Sequence, residues 1–137
     1  MRYLLDVNVL IALGITRHQF RDRVRTWAAS LVVKGTPELA TCSITELGFL
    51  RIVSQVPAYN VTLEQAKTQL SMLKDSSTYD LLFIVDENDV SRLPAWVKSA
   101  KQTTDGHLAE LAASNGCVLA TLDENIPGAF VIPKSES

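Results

Sequence analysis

Short apolar runs alternate with helix-period stretches along this chain from end to end, and no hairpin signal interrupts them. RYLL at residues 2–5 is the first apolar run. Asp6 and Asn8 break it, the pattern of a strand end turning into a short helical segment. HQFRDRVRTWAASLV sets Phe20, Val24, Trp27 and Leu31 at helical spacing, with His18, Arg21 and Arg25 on a neighbouring stripe. ELATCS reads as a second strand. SITELGFLRIV then opens with Ser43 and, three positions on, Glu46, the signature of a capping box. VTLEQAKTQLSMLK predicts a helix capped by Thr62 and Gln65, with Leu63, Ala66, Leu70 and Leu73 as its apolar stripe. YDLLFIVDE is strand-like, and DVSRLPAWVKSAK is a short helical stretch interrupted by proline. The last third supplies a helix to about Ser114, stopped by Asn115 and Gly116, then the strand CVLAT and a small closing strand in GAFVIP. This order predicts a three-layer α/β/α sandwich around a mainly parallel sheet.

At 137 residues the chain suits one domain, expected over residues 1–133, with 134–137 as a frayed tail. Asp6 arrives almost at once and no apolar run reaches membrane length, so we expect no signal peptide, no membrane partner and a cytoplasmic location. Cys42 and Cys117 lie in apolar strand-like runs and are expected as buried free thiols. A net charge of −2 argues against coating duplex nucleic acid by bulk electrostatics but leaves room for a small catalytic groove. Arg17, Arg21, Arg23 and Arg25 crowd the first long helix. Arg17, Arg21 and Arg25 repeat every four residues and could grip a phosphate backbone or an acidic tail; a solvated face paired to acids such as Asp22 explains them equally.

Four acids stand at element ends. Asp6 follows the first strand and Asp123 follows CVLAT, which puts both at the crevice beyond the carboxyl ends of parallel strands. Asp105 heads the helix leading into CVLAT, and Glu46 lies in the first turn of the helix after the second strand. Carboxylates meeting there would raise one another's pKa, and an all-oxygen set selects Mg²⁺ or Mn²⁺. Each has an ordinary alternative: Glu46 as a capping residue, Asp105 as a first-turn acid, Asp123 as a turn former beside Asn125. Asp6 resists this most, because an acid inside the most apolar run needs a partner. Asn8 is either a local cap or an orienting oxygen, and the Thr121 hydroxyl either idles in its strand or bonds a carboxylate. His18 is either a solvated polar residue or a phosphate contact. Zinc spacing, Gly-rich phosphate loops and a nucleophile elbow are all missing from the sequence.

LLDVNVLIAL, SITELGFLRI, TTDGHLAELA and CVLATLDENI resemble, in order and spacing, the four motifs of PIN-domain nucleases, above all the VapC branch of toxin–antitoxin ribonucleases. The resemblance runs from Arg2 to about Pro133. By it, Asp6, Glu46, Asp105 and Asp123 match the family's catalytic, metal-binding acids. Asn8 and Thr121 match its secondary polar positions, and Asn125 stands where relatives are sometimes acidic. His18 resembles a histidine found early in the first long helix. The resemblance implies a Mg²⁺-dependent (or Mn²⁺-dependent) endoribonuclease that hydrolyses RNA to 5′-phosphate and 3′-hydroxyl ends. It also implies a homodimer silenced by a cognate antitoxin, touching DNA only through that partner. Two rivals differ in class. A flavodoxin-like Mg²⁺-binding regulatory module wants adjacent acids after the first strand and a late lysine, and this sequence shows neither. An inactive PIN-like binding or structural protein would usually have lost an acid. A flap-cutting deoxyribonuclease would need DNA-gripping extensions beyond this length.

Overall fold

Leu4 and Leu5, both fully buried, lie at the centre of a sheet in the order β3-β2-β1-β4-β5, formed by β1 (Arg2–Leu5), β2 (Glu38–Cys42), β3 (Leu82–Ile84), β4 (Cys117–Thr121) and β5 (Phe130–Val131). Every pairing is parallel in this computed structural model, which describes residues 1–35 and 38–134. β1 lies between β2 and β4 and pairs with both, which explains why Leu4 and Leu5 are both apolar and buried: a central parallel strand is covered on both faces.

Successive residues of the strands feed opposite cores. Leu5, Leu39 and Ala120 join one cluster with Val9, Leu13, Val24, Phe49, Ala66 and Leu70 from α1 (Val7–Gly14), α2 (Arg21–Lys34), α3 (Ser43–Gln55) and α4 (Leu63–Lys74). Leu4, Ala40, Cys42 and Leu119 join the other, with Leu108, Leu111 and Ala112 of α5 (Thr103–Ser114). The expected three layers are therefore present, four helices on one face and α5 on the other. Cys42 and Cys117 are buried free thiols. Among the described residues no helix is long and apolar enough to cross a membrane.

Several local expectations need correction. Ser43 does not cap α3. β2 runs directly into the helix, so Cys42 takes the cap position and its N–H donates to Thr45 Oγ1 at 3.0 Å, which leaves Glu46 free for other partners. His18 and Arg17 precede α2 rather than ride on it, because the helix begins only at Arg21. Phe20 is exposed at the cap of α2, and Leu63 is exposed in the first turn of α4, so neither belongs to the core. The Thr62–Gln65 box is formed as expected. YDLLFIVDE yields only the three-residue β3, and the proline-interrupted stretch becomes two single 3₁₀ turns, Val90–Arg92 and Ala100–Gln102. No helix joins β4 to β5; residues 122–129 make that parallel crossover by turns alone. Leu50 and Trp96, apolar residues outside the acidic motifs, pack partly buried against the two cores. Of the expected tail, residues 135–137 lie outside the described residues.

Candidate active site

Asp6 is where β1 becomes α1. Its N–H donates to Ala120 O at 3.0 Å, the last rung toward β4, and its Oδ1 accepts from Val7 N–H at 2.8 Å as the cap of α1. The other oxygen, Oδ2, accepts from the Thr121 hydroxyl at 2.8 Å. Thr121 is fully buried at the end of β4, and its oxygen in turn accepts the Asp123 N–H at 3.0 Å. Asp123 Oδ1 takes the Asn125 N–H at 2.8 Å, which is the Asx-turn geometry expected of a turn former. One hydroxyl thus ties the ends of the two central strands together. Each Asp6 oxygen still has a lone pair free for a ligand.

Asp105 enters from the first turn of α5. Burial pushes its carboxyl above the ordinary value, and the charges of Asp6 and Asp123 push it further. Burial also raises Asp6; the Thr121 hydroxyl and Val7 N–H pull against it, and the Asp123 charge adds to the rise. Acids from three separate parts of the chain are therefore close enough to interact: Asp123 acts on Asp6, and both act on Asp105. A glycine is required next to Asp105: a Cβ on Gly106 would stand 2.2 Å from Val97 Cγ2, so only a bare backbone lets the preceding loop lie against this turn.

Residues 3–129 match the PIN domain family. The chain belongs to the PIN-domain family. Relatives of this PIN-domain chain include Ribonuclease VapC44 of Mycobacterium tuberculosis, 33% identical over 132 residues and covering 92% of this chain and 89% of that one. Ribonuclease VapC38 of the same organism is 32% identical over 90% of this chain and 86% of its own. Among solved structures, VapBC2 from Rickettsia felis bound to a promoter DNA fragment superposes with a TM-score of 0.61 at 20% identity, covering 95% and 96% of the two chains. FitAcB from Neisseria gonorrhoeae does so at 0.54 and 21%, covering 88% and 87%. At these identities the structural likeness speaks for the fold.

The other expected residues of this PIN-domain chain fall into two groups. Asn8 and His18 line a cavity of about 250 Å³ with Gln19, Phe20, Leu122 and Asp123, so both share a wall with one of the four acids. Burial pushes the His18 imidazole below its ordinary value, and its Nδ1 accepts the Phe20 N–H at 3.0 Å. Glu46 instead bonds to Thr41 and Lys74. The arginines are also engaged: Arg17 donates to Ala58 O, Arg25 to Leu13 O, and Arg21 pairs with Asp22. A larger cavity of about 650 Å³ between β3 and the end of α5 is lined by none of the four acids.

Lys74, Thr41 and a half-buried pair between Asp86 and His107 escaped the sequence analysis. Burial works against the Asp86 charge, but the His107 ring and Asn88 N–H outweigh it and hold that carboxyl below its usual range. His107 lies two residues past Asp105 in TTDGHLAELA, the one local sign of this pair in the sequence. Its partner is 21 positions away.

Among the described residues, no group of three or more His, Cys, Asp or Glu side chains is close-set enough to cage a metal ion as it stands. The donor chemistry nevertheless suits a hard cation: carboxylate oxygens that repel one another, backed by a hydroxyl, at the carboxyl ends of the two central strands.

Proposed function

We propose that this chain is a metal-dependent endoribonuclease, hydrolysing RNA phosphodiester bonds to 5′-phosphate and 3′-hydroxyl ends, and the toxin of a toxin–antitoxin pair. The observation that carries the reading is the meeting of Asp6, Asp105 and Asp123, with the charges on Asp6 and Asp105 opposed by other acids, in a PIN-domain chain related to VapC ribonucleases.

Asp6, Asp105 and Asp123 would hold Mg²⁺, or Mn²⁺ in its place, with Glu46 as the remaining acid of the catalytic set. When bound, such an ion activates water for in-line attack and offsets charge on the phosphate oxygens. Thr121 keeps Asp6 turned toward the crevice by donating to Oδ2, and it fixes the Asp123 backbone through the same oxygen. Asn125 N–H holds the Asp123 carboxylate in place. Asn8 and His18, on the wall of the small cavity, stand where an RNA backbone would pass. The domain would span residues 1–133, act in the cytoplasm as a homodimer, and be silenced by a cognate antitoxin that alone brings it to DNA. The likeness to VapBC2 from Rickettsia felis, solved bound to a DNA fragment from its promoter, supports a partner of that kind.

The test is RNA cleavage by the purified chain with MgCl₂ or MnCl₂ and with EDTA, followed by mapping of the cut ends. Divalent-dependent cuts bearing 5′-phosphates are expected. Activity undiminished in EDTA, or 2′,3′-cyclic phosphate ends, would overturn the reading.

A further inference from the structure

Glu46 differs from the other three acids because it already has a cation. Lys74 Nζ stands 2.9 Å from Oε2 and 3.0 Å from Oε1, and the fully buried Thr41 hydroxyl donates to Oε2 at 2.6 Å. The carboxylate is 17% exposed and the lysine 34%, so the pair is partly desolvated and worth more than an open surface contact. Lys74 is the last residue of α4, where the helix dipole favours a positive charge, and its Nζ lies 5.5 Å from the Phe83 ring centre. Elements β2, α3, α4 and β3 thus converge to hold one ammonium on one carboxylate. The charge of Asp123 acts on Asp6, and the charges of Asp6 and Asp123 act on Asp105.

We propose that Lys74 is a built-in counter-cation that withholds Glu46 from the divalent ion, so that the ion rests on the three aspartates and Glu46 serves as a positioning residue. The inference rests on the metal-dependent reading above. To join an ion, the Glu46 carboxylate must give up an ammonium bound to both oxygens as well as a buried hydroxyl. A further ion drawn to Glu46 would meet the lysine's charge at close range. The geometry therefore points to a single-ion site whose fourth acid is neutralised from within, and Lys74 sets that number.

The test is Mn²⁺ binding to the full chain without RNA, followed by electron paramagnetic resonance of the free ion. In the presence of Lys74, Glu46→Gln should change the Mn²⁺ dissociation constant less than about twofold. Lys74→Met should tighten Mn²⁺ binding roughly tenfold or more, or add a second ion, by freeing the full negative charge of the Glu46 carboxylate. Lys74→Gln should act in the same direction, and Lys74→Arg should behave as wild type. Adding Glu46→Gln to Lys74→Met should cancel the gain. An isotherm that Lys74→Met and Lys74→Gln leave unmoved, with only the thermal midpoint lowered, makes the pair a clasp between α3 and α4 and overturns the proposal. So does a Glu46→Gln variant that weakens Mn²⁺ binding while Lys74 is present. If wild type cuts RNA and binds Mn²⁺ while Lys74 proves indifferent, the counter-cation alone falls; if wild type binds no Mn²⁺, the functional reading falls with it.

Discussion

Along the rim where the strands end, β1 and β4 differ from β2 and β3 in how their acids are balanced. At the first pair of ends, Asp6 and Asp123 face Asp105, and the charges acting on Asp6 and Asp105 are negative. At the second pair, Glu46 is held by Lys74 and Asp86 by His107. The acids of both halves follow strand ends or stand in the first turn of a helix, so fold position alone does not decide the matter; the neighbours do. A partly buried carboxylate facing other acids is costly to ionise, and a fold tolerates Asp6 and Asp105 together when something from outside compensates them. The unbalanced half is where a cation has reason to bind.

The most severe way to break this contrast is Asp6→Asn. Cleavage of an end-labelled RNA should fall on the order of a thousandfold, about 4 kcal/mol of transition-state stabilisation, while circular dichroism stays native. A variant still cutting at the wild-type rate with Mg²⁺ present would return Asp6 to a purely structural role. Next comes Thr121→Val, which removes the hydroxyl that both donates to Asp6 and accepts from Asp123. Metal affinity or activity should drop about 10–100-fold, the usual cost of losing a group that orients a ligand, as read by activity against MnCl₂ concentration.

The balanced half gives way in stability instead. His107→Leu leaves Asp86 half-buried without its ring partner and should cost about 1–3 kcal/mol in urea unfolding, with little change in Mn²⁺ binding. The two halves should also respond to pH with opposite signs. Asp6 and Asp105 are raised in the fold, so they hold protons that the unfolded chain has already released. Their contribution is intact below the ordinary carboxylate value and is lost as pH rises through their raised values. Asp86 is held low: its contribution is present above the ordinary value and is lost as pH falls through the depressed one. Thermal midpoints measured in EDTA across the acid range should show this as difference curves of opposite slope for Asp6→Asn and Asp86→Asn. Parallel slopes would dissolve the distinction between the halves. The smallest effect belongs to Arg21→Glu, which reverses an exposed charge paired with Asp22. A change in RNA cleavage of roughly two- to fivefold at low salt, vanishing at high salt, is expected; no change at any salt would remove Arg21 from the substrate path.

Much of the unbalanced half could be read from residues in a row. Asp6 interrupts an apolar run, Asp123 follows another, and α5 runs from its first-turn acid to the Asn115-Gly116 stop, where Gly116 takes a left-handed φ of 69°. These are local signals, and the elements they mark are local structures. The balanced half depends on partners far apart in the chain. Lys74 meets Glu46 across 28 positions, and no periodicity in α4 distinguishes that lysine from one facing solvent. The Ser43 box failed for a related reason: its pattern suits a helix that follows a loop, whereas β2 feeds α3 without one and Thr45 serves Cys42 instead. Helical spacing sets His18 on the α2 stripe, but the helix begins only at Arg21; His18 nevertheless lines the cavity beside Asp123.

The hydrogen atom that stands in for a side chain at Gly106 has a further implication. Since Val97 Cγ2 fills the space where a methyl would go, the seat of Asp105 belongs jointly to the helix and to a loop nine positions earlier. Bulk at 106 can be gained only by surrendering it at 97. Drift at these two positions is therefore a trade of volume, and the carboxylate between them keeps its place only while the trade stays even.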